Sequence, residues 1–393
     1  MNKHWILLPL LLLLAGGLFF SLGREKVYSI DLANAPILEA EGVPAANPNF
    51  YKEAKEKLIK EEADFIEADL SSMKLTIYTK GVPEETFPIL TKGKEGSWWE
   101  TPAGIYQVGS KASNHFSSFG QVYQPWSVQF QGNFFIHGWP YYPGGQPVAS
   151  TYSGGCIRLA TADAKKVFEK SKTGMPVLVF EETFSEGDGF VYKNKNQLKT
   201  GAPNVSAKSF LIVDLKNNEV LLQKNGNEVL PIASITKLMT ALVATDHMNI
   251  EKTIAVNSKA IIPTSLPRLQ AGEEASIYDL LFPLLLESSN EAAEAIAYAP
   301  GRERFVKLYA PGRERFVKLM NEKTKAIGMN QTNFADPAGR ADENTGSAED
   351  LLSLAKYLYS NRSFILKMTT NHLDKSIYGE PAYSNLKNLN IFG

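Results

Sequence analysis

Nineteen uncharged residues, Trp5 to Gly23, stand between Lys3-His4 and Arg24-Glu25-Lys26. That length falls between the ~7–15 apolar residues of a signal-peptide core and the ~20 of a membrane span. The run predicts an N-terminal hydrophobic helix over residues 1–23, either a cleaved signal or an uncleaved anchor. Its leucine content favours the anchor, while Ser21-Leu22-Gly23 offers small residues for cleavage. Residues 24–48 show no period and read as a tether. Asn49 then caps a predicted helix to about Ala63, with Phe50, Ala54, Leu58 and Ile59 at helical spacing among lysines and glutamates.

From Asp64 the pattern changes to short alternating segments. F-I-E-A-D, a Leu-Ser-Ser-Met turn and K-L-T-I-Y-T-K-G predict a β-hairpin. Further strands are expected over Thr86–Thr91, Gly104–Ser110, Trp126–Gln131, Asn133–Ile136 and Pro176–Phe180, the first demoted to an edge by Pro88. One helix fits Thr161–Ser171, with Thr161 as its cap. Many short strands and little helix indicate a compact, mainly antiparallel β domain over 64–181. Residues 182–206 break in composition and read as a linker. Beyond it, S-F-L-I-V-D-L and E-V-L-L-Q-K-N form a second predicted hairpin around Lys216-Asn217-Asn218, and more helical patterning follows to residue 393. The fold class expected is multidomain α+β.

Composition narrows the partners. With 41 Lys and Arg against 42 Asp and Glu the net charge is −1, so no nucleic acid partner is implied. A single cysteine, Cys156, cannot form an intramolecular disulfide, and with five scattered histidines it offers no zinc constellation. No cofactor or metal is expected.

That cysteine carries the first candidate chemistry. Residues 134–159 read F-F-I-H-G-W-P-Y-Y-P-G-G-Q-P-V-A-S-T-Y-S-G-G-C-I-R-L, placing His137 nineteen residues before Cys156. A thiol attacks as thiolate, so an imidazole within folding reach suits it as a base. Gly154 and Gly155 permit a sharp turn that aims N–H groups at a developing oxyanion. The aromatic run Trp139–Tyr142 either floors a groove or packs on the sheet. The I-H-G and S-G-G-C-I-R-L elements, with T-P-A-G at Thr101–Gly104, resemble the L,D-transpeptidase family that cross-links peptidoglycan. One departure is Gly154, where that family usually has histidine. The resemblance implies Cys156 as nucleophile and His137 as base, oriented by the Gly138 carbonyl. It implies Gly155 and Cys156 N–H groups as oxyanion donors, and Ser153 and Arg158 as residues shaping the pocket or holding a stem-peptide carboxylate.

The second candidate is Ser234-Ile235-Thr236-Lys237. Serine and lysine three apart share a helix face, and a desolvated lysine can serve as base. With Ser288 and Asn290 in S-x-N, these residues resemble the penicillin-binding D-alanyl-D-alanine carboxypeptidases. The family's K-T-G strand does not follow Asn290, so residues 207–393 are expected to form an incomplete α/β penicillin-binding domain. The resemblance implies peptidoglycan stem peptides as partners and β-lactam binding, and the N-terminal apolar run implies an exported chain, tethered to the cytoplasmic membrane or secreted after signal cleavage. Acyl transfer to an amine is the leading expectation. Hydrolysis, as an L,D-carboxypeptidase, a non-catalytic peptidoglycan-binding role for the second half, and a structural envelope role stay open. Finally, Y-A-P-G-R-E-R-F-V-K-L occurs twice, at Tyr298–Leu308 and Tyr309–Leu319, identical throughout. Pro300 and Pro311 are expected to interrupt any helix running through it.

Overall fold

The computed structural model describes residues 50–181, 191–192, 205–215, 219–299, 312–370, 372–373 and 375–389. The N-terminal apolar run, the tether and Asn49 lie outside them. Among the described residues no helix is long and apolar enough to cross a membrane.

Helix α1 (Phe50–Lys60) stops short of Ala63 and has no fully buried residue. Its Ala54 and Leu58 pack on Phe65, Tyr78 and Leu178. The chain then builds β1 (Phe65–Asp69), β2 (Lys74–Thr79), β3 (Val82–Pro88), β4 (Gly104–Gln107), β5 (Lys111–Ser117), β6 (Val122–Gln131), β7 (Phe134–His137), β8 (Ile157–Arg158), α2 (Thr161–Lys170) and β9 (Pro176–Phe180). One sheet has the order β3-β2-β1-β9-β4 and the other β5-β6-β7-β8. Pairing is antiparallel except at β1/β9 and β7/β8. Ile66, Ile77, Val128, Ile136, Ile157 and Val177 fill the space between the two sheets. This packing follows from alternation, since every second residue of β1 and β2 faces inward.

Three expectations need correction. The strand expected over Thr86–Thr91 is β3, placed earlier at Val82–Pro88; it does form the sheet edge, as Pro88 requires. Strand β5 was not expected, because K-A-S-N-H-F-S lacks an apolar alternation; it is half exposed and gains its order by pairing with β6. Thr161 does not cap α2. The cap position is Ala160, and Thr161 Oγ1 instead accepts the Trp139 N–H at 3.2 Å, tying the aromatic loop to the helix.

The second half contains β10 (Val191–Tyr192), β11 (Phe210–Asp214), β12 (Glu219–Lys224), β13 (Leu230–Pro231), α3 (Thr236–His247), β14 (Thr253–Ala255), β15 (Glu274–Ser276), α4 (Ile277–Leu286), α5 (Asn290–Tyr298), α6 (Gly312–Ala326), β16 (Thr345–Gly346), α7 (Ala348–Asn361), α8 (Ser363–Thr369) and α9 (Lys375–Tyr378). Strand β10, inside the expected linker, pairs in parallel with β12. Lys216–Asn218, the expected turn of the β11–β12 hairpin, lie outside the described residues. Helix α3 is buried on nearly every side and is the hub on which α4, α5 and α6 pack. Its sequence explains this, because small and apolar residues run all round it. The halves share cores: Trp98 and Ala103 join the helical cluster, and Ala326 joins the sheet cluster.

Helix α5 ends at Tyr298, where Ala299 turns extended, and α6 begins at Gly312. A Cβ built on Gly312 would lie 3.6 Å from the Ala299 carbonyl oxygen, so the chain returns beside the point where it left. Deleting either copy of the repeat yields the same sequence, with a single proline joining Ala299 to the glycine. The phenylalanine of the retained copy would take the buried place of Phe316, and Met320 would keep its own. Loop entropy changes slowly with length, so deletion of Tyr309–Leu319 should leave stability within about 1 kcal/mol of the parent chain. Denaturant unfolding of the two chains checks this; a loss of several kcal/mol would show that the repeat is part of the fold.

Candidate active site

The pairing of β7 with β8 sets Ile136 beside Ile157 and His137 beside Arg158. The two-residue β8 pairs with the last two residues of β7, so Cys156 falls opposite Phe135, two residues back from His137 and on the same face of the sheet. His137 and Cys156 line one cavity of about 450 Å³ together with Gln124, Ser153, Gly154 and Arg158. Its far wall includes Thr245, Asp246 and Met248, from the end of α3 and the residue after it.

His137 is 1% exposed. Its Nδ1 lies 2.6 Å from the Gly138 carbonyl, which can only accept, so Nδ1 carries the proton. Nε2 is then the basic nitrogen; it is buried and has no hydrogen-bond partner. Cys156 is also buried. Its S–H points to the Asn133 carbonyl at 3.9 Å, and Gln124 Nε2 donates to the sulfur at 3.8 Å. Burial pushes the thiol up to about 11 and draws the imidazole down to about 3. Burial thus favours the neutral form of both groups.

The turn before Cys156 is clamped by Ser153. Its hydroxyl donates to the Cys156 carbonyl and accepts the Gly155 N–H at 3.1 Å. This corrects one expectation: the Gly155 N–H is engaged within the turn rather than turned toward the cavity. Gly155 has φ +99, and a Cβ there would strike the Phe134 ring at 2.1 Å. Gly154, by contrast, faces open space where a side chain would meet nothing within 4 Å. Arg158 donates to Ser150 O at 3.3 Å and lies over the Trp139 ring, leaving its buried Nε unpartnered. Tyr141 stacks on Tyr123 of β6, so this part of the aromatic loop packs on the sheet.

In the second half, Lys237 Nζ lies 3.0 Å from Ser234 Oγ and 2.6 Å from the Ala338 carbonyl. Burial draws this ammonium down to about 8 against the opposing charge of Asp336. Ser234 is exposed at the start of the turn leading into α3. Ser288, at φ +55, sits between α4 and α5, and Asn290 opens α5. Asn290 donates to the Pro263 carbonyl at 2.9 Å. Among the described residues neither hydrogen-bonds to the Ser234–Lys237 pair. A Lys-Thr-Gly tripeptide does occur, at Lys199–Gly201, but it precedes Ser234 and lies outside the described residues.

Gln124, Asn133 and Thr101 surround the thiol loop without having been singled out as site residues. Thr101 Oγ1 donates to Gly155 O at 2.9 Å. Thr101 opens the T-P-A-G element noted in the sequence, and Gln124 left a trace as an amide in an inward position of a strand whose other inward residues are largely apolar.

A thiol and an imidazole thus lie on a two-sheet domain docked to a helical half with a serine–lysine pair, and each half matches a known family. Residues 63–179 match the model of the L,D-transpeptidase catalytic domain, and residues 196–390 that of D-alanyl-D-alanine carboxypeptidase. Both halves belong to families of peptidoglycan-modifying enzymes. The chain joins an L,D-transpeptidase-family domain to a D-alanyl-D-alanine carboxypeptidase-family domain. A D-alanyl-D-alanine endopeptidase of Escherichia coli is 31% identical over 189 residues, 46% of this chain and 56% of that protein. The D-alanyl-D-alanine carboxypeptidase DacF of Bacillus subtilis is 31% identical over 220 residues, 53% of this chain and 51% of that one. An L,D-transpeptidase structure from Stackebrandtia nassauensis aligns at 25% identity and TM-score 0.26, covering 30% of this chain and 56% of that chain. The chain spans about half the length of the relatives it matches.

Proposed function

We propose that the first half is a cysteine-dependent L,D-transpeptidase acting on peptidoglycan stem peptides. The observation that carries this is that His137 and Cys156 line one cavity, with the histidine tautomer held so that the unpartnered Nε2 is the basic nitrogen. Cys156 attacks the carbonyl of the third stem residue, and its proton passes to His137 Nε2. His137 then gives that proton to the departing D-alanine amine as the tetrahedral intermediate collapses to a thioester. An amine from a neighbouring stem attacks the thioester, His137 takes its proton, and the thiolate leaves and is reprotonated. With the Gly155 N–H engaged, the Cys156 N–H is the oxyanion donor in this reading, and Arg158 holds a stem carboxylate. Incubation with disaccharide-tetrapeptides and mass spectrometry of the products tests the proposal. Cross-linked dimers support it, whereas release of D-alanine with tripeptide alone would make the enzyme an L,D-carboxypeptidase. The same reading places the chain outside the cytoplasm, held by Trp5–Gly23; accessibility of intact spheroplasts to protease checks that placement.

The 3.0 Å contact of Ser234 with Lys237 favours a second, serine-based activity on D-alanyl-D-alanine termini. Since neither Ser288 nor Asn290 hydrogen-bonds to that pair among the described residues, acylation of Ser234 by a fluorescent penicillin should be slow. Lys237 must lose its proton to act as base, so labelling should rise with pH through about 8 and vanish in Ser234→Ala. Fast, stoichiometric labelling independent of pH would contradict this.

A further inference from the structure

Three lines of contact run from the carboxypeptidase-family half to the residues flanking the thiol. The first starts at Asn361, the buried last residue of α7. Its Nδ2 donates to Thr101 O at 3.0 Å, and its Oδ1 accepts the Ala103 N–H at 3.0 Å. Thr101 in turn accepts the Gly93 N–H and donates to Gly155 O, one residue before Cys156. The second starts at the C-terminal end of α3. Asn133 Nδ2 donates to His247 O at 3.0 Å, while the carbonyl of the same Asn133 receives the thiol hydrogen. Gly132 backs so closely on Asp246 O that a Cβ would come within 2.3 Å. The third starts at Arg362, whose guanidinium lies 5.9 Å from the Phe134 ring centre. That ring edge occupies the space a Gly155 side chain would need.

Other contacts across the joint, such as that of Lys323 with the Tyr106 hydroxyl, lie away from the thiol loop. Here each line ends on Gly155 or Cys156, and each passes through a residue that itself touches the loop. A nucleophile held within a fraction of an ångström needs a supporting shell of this kind. We propose that the carboxypeptidase-family half is a positioning platform for the thiol, with Asn361 as a positioning residue acting through Thr101 and Gly155. The platform deepens the transpeptidase reading, and only its turnover arm rests on that reading. Loosening the loop should hydrate the thiol, which burial now holds protonated, and so speed its modification. The same loosening should slow acyl transfer, because the sulfur no longer sits where the carbonyl arrives. A residue that merely stabilises the fold would not move these two rates in opposite directions.

The test uses the full chain, in which iodoacetamide can alkylate a single cysteine. Asn361→Ala should alkylate at least about threefold faster at pH 8. On tetrapeptide stems it should lose roughly tenfold in kcat with KM within about twofold. Thr101→Val, nearly isosteric and so a safeguard should Asn361→Ala fail to fold, should give the same two changes. The double variant should alkylate no faster than the faster single one, since both cut one line. Glu294→Gln, which weakens a pair with Arg313 in the other half, should lower the melting temperature and leave alkylation unchanged. Wild-type alkylation in both Asn361→Ala and Thr101→Val, with only a lowered melting temperature, overturns the proposal, as do additive effects in the double variant. If the parent chain forms no stem dimers but the alkylation changes appear, the platform stands and the transpeptidase reading falls.

Discussion

Cys156→Ala should abolish stem cross-linking by the full chain, to the limit of detection by product mass spectrometry. No other cysteine exists to replace the nucleophile, and alanine keeps the turn because Ser153 grips only the backbone carbonyl of residue 156. Undiminished dimers would remove Cys156 from the mechanism. His137→Ala should cost about 10²–10⁴ in kcat, the usual size of a lost general base. The thiol would remain, still buried and protonated, with no neighbour to take its proton. A loss of tenfold or less would make the histidine a packing residue of β7.

The largest stability effect should come from Asp246→Ala. Asp246 lies 2.9 Å from Lys323 Nζ and 2.8 Å from Arg362, and all three side chains are fully buried. Lys323 also donates to the hydroxyls of Tyr106 in the first half and Tyr357 in the second, so the cluster sits on the joint. Removing the carboxylate leaves two like charges uncompensated away from water, at a cost of about 3–5 kcal/mol. Denaturant unfolding followed by tryptophan fluorescence measures it; a loss below about 1 kcal/mol would mean that water or another anion fills the gap. The pH dependence follows from the same charges. Lys323 and Arg362 hold the Asp246 carboxyl below the ordinary carboxylate range despite its burial. Its contribution is therefore complete above the unfolded value of about 3.9 and is lost as pH falls toward the folded one. Acid unfolding of Asp246→Asn should be correspondingly less steep.

The side chains of the candidate sites were legible in the sequence and the docking was not, for a physical reason. His137, Cys156 and the strands bearing them are written locally, as alternation followed by a glycine turn, and the structure sets them in one register. Ser234 and Lys237 are likewise one helical turn apart, and they meet. Asp246, Lys323 and Arg362 come from three different helices or helix junctions, and in the sequence each resembles a charge on a solvated face. Nothing local marks them for burial. Asn361 is similar, an ordinary polar residue at a helix end until Thr101 and Ala103 arrive opposite it. Strand β5 was missed because its order comes from its partner rather than from its own residues. The tie between Thr161 and the Trp139 amide was missed because helix capping is local and that contact is not.

The adjoining ends of α5 and α6 carry a consequence for how such a chain can change. Because Ala299 and Gly312 are neighbours in space, the segment between them is a doorway at which genetic length can vary while the packed helices on either side stay in step. A tandem copying event falling there is invisible to the core, whereas the same event within α3 would turn the serine and lysine out of alignment and push the hub helix through its neighbours. The doorway is also a place to splice in a fluorescent reporter or an affinity handle, remote in the chain from both candidate nucleophiles.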